Sequence, residues 1–220
     1  MKPTLLKNVL GATMAFAPLP AMAASSPEVA PVPMAALAAP GDVASGAAVE
    51  SFYAQRANAP LWLKAGPASP AAAALLQTLR RAPLDGLYAG PQLADEIQAA
   101  LVSAADRAGA ARAERLMSAA WLRYVSALHA PSPGMTYNDP RLAPRAPAPG
   151  YVLEQAARAA SLPDHMAAVA AVNSLYAELR DAAWTQSQVS GTTLTNVRIR
   201  ANLERLRTLP ATGRFVLVNA

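Results

Sequence analysis

Three observations in this 220-residue chain predict a mainly α-helical domain that closes with one short β-strand. Apolar residues recur at helical spacing from Val49 onward, each stretch ending at Pro, Gly or Asn. The chain holds no cysteine, so packing rather than disulfides must stabilise it. Strand-like residues gather only at the end, in Arg214-Phe215-Val216-Leu217-Val218-Asn219-Ala220.

The N-terminal segment reads as a leader. Lys2 and Lys7 precede an apolar run from Val9 to Phe16, and Ala21 and Ala23 form an A-x-A cleavage pattern. Residues 1–23 are therefore expected to be a signal peptide. The run is shorter than the ~20 residues that span a bilayer, and Gly11, Pro18 and Pro20 interrupt it, so no membrane span is expected in the mature chain. Residues 24–44, rich in Pro, Ala and Ser, are read as a flexible linker. Residues 45–220 form the helical domain, with about 175 residues available for one core.

Each helix in that domain has its own signals. A first helix from Ser45 to about Arg56 places Val49, Phe52 and Tyr53 on one face, and Asn58-Ala59-Pro60 stops it before the apolar anchor Leu61-Trp62-Leu63. Ser69 before Pro70 is an N-cap for a second helix, with Leu75, Leu76 and Leu79 at core spacing and Arg80 and Arg81 in the last turn. Pro83-Leu84-Asp85-Gly86 is a turn, followed by Leu87 and Tyr88. A third helix is expected from Pro91 to Ser103. The longest runs from Ala108 to His129, its stripe formed by Leu116, Met117, Ala120, Trp121, Tyr124 and Leu128. Residues 130–150 are Pro-rich and read as an irregular loop. Helices at Tyr151–Ala160 and Asp164–Ala183 follow, the second capped by Asp164, and Ser187–Thr195 reads as a polar loop. A last helix from Asn196 to Leu209 carries Leu203 and Leu206 among four arginines and ends at Pro210.

Composition excludes several chemistries. The formal charge falls from +5 to +3 when Lys2 and Lys7 leave with the leader, and no block of like charges marks a nucleic-acid arm. Without cysteine there is no thiol nucleophile, and two histidines alone, His129 and His165, make a poor zinc set. No Gly-rich phosphate loop occurs. His129, Ser132 and Asp139 are neighbours in sequence, but Ser132 lies between two prolines and lacks the strained elbow of a serine nucleophile. The pairs Asp95/Glu96 and Glu178/Asp181 fall on polar helix faces, because adjacent residues on a helix do not face each other. His165 reads as a surface residue. Trp62, Trp121 and Tyr137 could form aromatic platforms for a glycan or stem peptide, although core or loop packing accounts better for them. The residues therefore nominate no catalytic, cofactor-binding or metal site.

Several segments resemble the helical scaffold domain of large Gram-negative murein L,D-transpeptidases. Phe52-Tyr53-Ala54-Gln55-Arg56 running into Ala59-Pro60-Leu61-Trp62 is similar to their F-Y-x-x-R helix and A-P-L-W anchor. Asp85-Gly86-Leu87 resembles their D-G-L turn. Ile199 to Pro210 is similar to the R-x-x-N-L-E-R-x-R-x-L-P helix, and Arg214 to Asn219 resembles the R-Y-V-x-V-N strand that leads into the enzyme. The resemblance implies a periplasmic protein of peptidoglycan cross-linking. It implies no activity in these residues, because the family's cysteine, histidine and S-x-G-C-x-R motif have no counterpart here. The expected role is that of a non-catalytic scaffold whose terminal strand, Phe215, Val216, Leu217, Val218 and Asn219, docks on the sheet edge of a separate transpeptidase catalytic domain. A peptidoglycan-binding module and a truncated remnant of an L,D-transpeptidase are the alternatives.

Overall fold

The apolar stripes become helices largely where their spacing places them. The structure, a computed structural model, describes residues 42–130, 138, 144–190 and 197–207. Among the described residues the α-helices are α1 (Asp42–Gln55), α2 (Pro70–Arg81), α3 (Gly90–Val102), α4 (Arg107–Leu128), α5 (Pro149–Arg158), α6 (Leu162–Ala171), α7 (Ser174–Ser190) and α8 (Val197–Arg207), with a 3-10 turn at Ala82–Asp85. The fold is mainly α. The terminal strand expected at Phe215–Asn219 lies outside the described residues, as do the leader and the linker up to residue 41.

Local chemistry sets most boundaries. The Ser69 side chain accepts from Ala72 N–H and Pro70 opens α2. Asp106 opens α4 in the same way, accepting from Gly109 N–H at 2.7 Å. Two expectations need correction. The helix expected to start at Ser45 begins at Asp42. The helix expected over Asp164–Ala183 is two helices. Its cap is Ser161, whose hydroxyl accepts from the Asp164 N–H at 3.3 Å. The break falls at Val172, whose φ of 55° no β-branched residue adopts inside a helix. Asn173 then restarts the chain, its Oδ1 accepting from Tyr176 N–H at 2.9 Å. α7 also continues to Ser190, through the first part of the expected polar loop.

Helix α4 is the hub, packing against α1, α2, α3, α5 and α6. Its buried face carries Ala113, Met117, Ala120, Trp121, Tyr124, Val125 and Leu128. Trp121 stacks on Tyr124 with ring centroids 5.5 Å apart and meets Trp62 edge-on at 6.5 Å. α2 and α3 pack so closely that a Cβ on Gly90 would lie 2.3 Å from the Leu79 carbonyl oxygen. No helix among the described residues is long and apolar enough to cross a membrane.

Candidate functional site

Several residues singled out in the sequence are structural. Trp62 and Trp121 are 1% and 0% exposed, so neither can present a ring to a glycan. Asp95 is exposed, and Glu96 accepts from Gln92 Nε2 one helical turn away. Glu178 is exposed, while Asp181 pairs with Arg81 at 3.5 Å and with Arg180 at 3.2 Å. His165 is half-buried and meets the Trp121 ring edge-on at 6.4 Å; burial holds its pKa below the ordinary histidine value. Ser132, Tyr137, Asp139 and Phe215–Asn219 lie outside the described residues.

Sequence reasoning missed two buried carboxylates. Glu114, 3% exposed on the first turns of α4, receives the backbone N–H groups of Leu61, Trp62 and Leu63 at 2.6 to 3.2 Å. Its Oε2 also accepts from the Tyr53 hydroxyl at 2.7 Å. Ser118, one turn on, bonds to Tyr53 Oη and accepts from Trp62 Nε1 at 2.9 Å. The anchor Leu61-Trp62-Leu63 has no helix or strand to satisfy its N–H groups, and Glu114 supplies that acceptor. Burial, followed by the Glu114 charge, pushes the Tyr53 phenol far above its ordinary pKa, so it stays a donor.

Asp85 is the second. It is fully buried at the end of the 3-10 turn and accepts from Tyr124 of α4 at 2.8 Å and from Tyr176 of α7 at 2.5 Å. The buried Arg180 guanidinium lies 3.9 Å away and donates to the Ala170 carbonyl of α6. Burial raises the Asp85 pKa, opposed by Arg180 and by the two phenols. Gly86 turns the chain away at φ 92°, which only glycine adopts without cost.

This second node holds α8. Arg207 Nη1 donates to the Asp85 carbonyl at 3.2 Å and to the Ala127 carbonyl at 2.8 Å, where the guanidinium also suits the negative end of α4. Asn173 Nδ2 donates to the Leu206 carbonyl at 2.8 Å. Leu203 is buried, and the Arg200 guanidinium sits 4.8 Å over the exposed ring of Tyr88. The arginine and leucine pattern of the last helix is therefore a docking pattern, and residue 207 is held at one place on the body.

Two grooves open beside these nodes. One, of about 520 Å³, brings together His129, His165, Tyr151, Gln155 and Arg207. His129 Nδ1 is 2.9 Å from the Val125 carbonyl, which fixes the ring against its own helix. The other, of about 560 Å³, lies between α2, α6 and α7 and includes Arg80, Arg81 and Trp184. Neither juxtaposes a nucleophile with a base and an orienting group. Among the described residues no group of three His, Asp or Glu could hold a metal ion.

A family model described as a scaffold domain matches residues 47–182, from the second turn of α1 into α7. Both carboxylate nodes fall inside that span, whereas α8 lies beyond it. No curated protein and no solved structure matches the chain.

Proposed function

Given that the chain belongs to the scaffold-domain family, we propose that it acts in the periplasm as a non-catalytic scaffold for peptidoglycan cross-linking, presenting a terminal strand to a separate transpeptidase catalytic domain. The observation that carries this reading is the anchoring of α8. Arg207 and Asn173 tie its last turn to the body beside the buried Asp85 node, which fixes where residue 207 lies. Residues 214–219, with the pattern of an edge strand, begin seven positions further on. The side chains that look reactive are already committed: Glu114 to backbone N–H groups, Asp85 to two phenols, Arg180 to Asp85. No cysteine occurs, so a thioester route needs a thiolate from outside these residues.

The test is binding of the exported form, residues 24–220, to a purified cysteine-bearing L,D-transpeptidase catalytic domain, followed by calorimetry. Saturable binding that is lost on deleting residues 214–220 supports the reading. Equal binding by the shortened chain would sink strand docking, and no binding by either form would sink the partner. Sedimentation with purified peptidoglycan tests the wall-binding alternative, which can no longer rest on Trp62 or Trp121.

A further inference from the structure

Of the three tryptophans, Trp62 and Trp121 lie in the core, while Trp184 lines the groove between α2, α6 and α7. Its volume of about 560 Å³ lies within the roughly 300–1,000 Å³ of small-ligand sites. Gln77, Arg80 and Arg81 from α2, Met166 from α6 and Gln188 from α7 line it with the indole, and no carboxylate lines the groove among the described residues. Arg81 Nε is sheltered from solvent and makes no hydrogen bond among the described residues, in a molecule whose other buried polar groups are mostly matched. The side chains of Gln77 and Arg80 also make no hydrogen bond or ion pair there, whereas the Arg81 guanidinium is partly engaged by Asp181 at 3.5 Å.

We propose that this groove binds a saccharide carrying a carboxylate. An indole offers a flat apolar face to the C–H face of a pyranose ring. Primary amides pair with hydroxyl and acetamido groups, which both donate and accept. A guanidinium fork takes a carboxylate in two parallel bonds, and among the described residues Arg80 has no acidic partner that would compete. A neutral sugar gains the first two contacts and forgoes the third. A simple carboxylic acid gains only the last. The groove lies between α2, α6 and α7, apart from the α8 anchor, so this inference and the partner reading can fail separately.

The experiment is a titration of the exported form, residues 24–220, with N-acetylmuramic acid and with N-acetylglucosamine, its neutral counterpart, followed by two-dimensional amide NMR. Saturable shifts confined to the last turn of α2, to α6 and to the second half of α7 are expected, with the acidic sugar binding roughly tenfold more tightly, the worth of one charge-assisted pair. Arg80→Gln should remove that preference and leave the neutral sugar unchanged. Gln188→Ala, at an exposed position that need not disturb the core, should weaken both sugars, and Trp184→Ala should weaken both further. Shifts elsewhere, no saturable shifts with either sugar, or an acidic-sugar affinity unaltered in Arg80→Gln would each overturn the proposal.

Discussion

The two buried carboxylates fold the chain in different ways. Glu114 serves a stretch of backbone: three consecutive N–H groups at residues 61–63 converge on it, with a phenol and, among the described residues, no guanidinium bonded to it. Asp85 serves helices. Its side chain joins α4 and α7 through two phenols and faces the Arg180 guanidinium, and its backbone carbonyl takes Arg207 of α8. One carboxylate thus replaces missing secondary structure, and the other ties separate elements at one point. Their losses should differ in kind as well as in size.

Glu114→Ala should be the most damaging. It strands three backbone N–H groups in a dry site, where each unmatched donor costs about 1–3 kcal/mol, while the Tyr53 hydroxyl keeps Ser118 as a partner. Urea denaturation should show a global loss of roughly 4 kcal/mol or more, once partial relaxation is allowed for. A loss under about 1 kcal/mol would mean that water replaces the carboxylate and that the clamp is incidental.

Asp85→Asn should cost less, about 1–3 kcal/mol, because an amide oxygen still accepts from one of the two phenols. Its signature is pH dependence. Burial lifts the folded pKa above the ordinary value of 3.8, so between that value and the raised one the folded state holds more protons than the unfolded state. Asp85 therefore contributes stability that is fully present at low pH and is lost as pH rises through that window. Denaturation midpoints measured across mildly acidic pH should lose this falling component in Asp85→Asn, whereas an unchanged slope would assign the titration to other groups.

Much of the fold was legible because its signals are local. Ser69-Pro70, the Leu75/Leu76/Leu79 stripe and the Asp85-Gly86 turn each act within a few residues, and all appear where expected. The division of α6 from α7 was missed although Asn173 and Ser174 carry an N-cap signal, because the apolar period continues across Val172. Glu114 was not singled out in the sequence. Its phase was readable, since it precedes Met117, Ser118 and Trp121 by three, four and seven positions on the buried stripe. Its partners were not, for they lie more than fifty residues earlier in the chain. Asp85 was read as a turn residue for the same reason, with Tyr124 and Tyr176 brought in only by the packing of α4 and α7 around the turn. Trp62 and Trp121 were singled out as possible platforms and Trp184 was not, because helical spacing does not separate a core position from a groove wall.

Arg207→Met tests the Asp85 hub from its outer side. The substitution keeps an apolar stem and removes the donor to the Asp85 and Ala127 carbonyls, so the loss should stay near α8. Amide exchange in α8 should quicken by about tenfold or more while the α2–α4 amides keep their protection, corresponding to roughly 1–2 kcal/mol of local stability. Uniform acceleration across the molecule would place α8 within the global folding unit and remove the distinction between anchor and body.

The smallest effect belongs to a third carboxylate, one outside the core. Glu50 on α1 meets Arg115 at 2.9 Å, but its own side chain is 57% exposed. Arg115 has other partners, donating to Asn58 Oδ1 at 2.9 Å and lying 5.2 Å from the Tyr53 ring centroid. Removing the Glu50 charge leaves both contacts in place and a guanidinium that water can still reach. Glu50→Gln should therefore cost under about 0.5 kcal/mol, less again at high salt. Glu50, Glu114 and Asp85 then form a series of one functional group in three settings, ordered by how many donors each loss strands. A Glu50→Gln cost near that of Glu114→Ala would show that net charge near the α1–α4 contact, rather than donor matching, stabilises this end of the molecule.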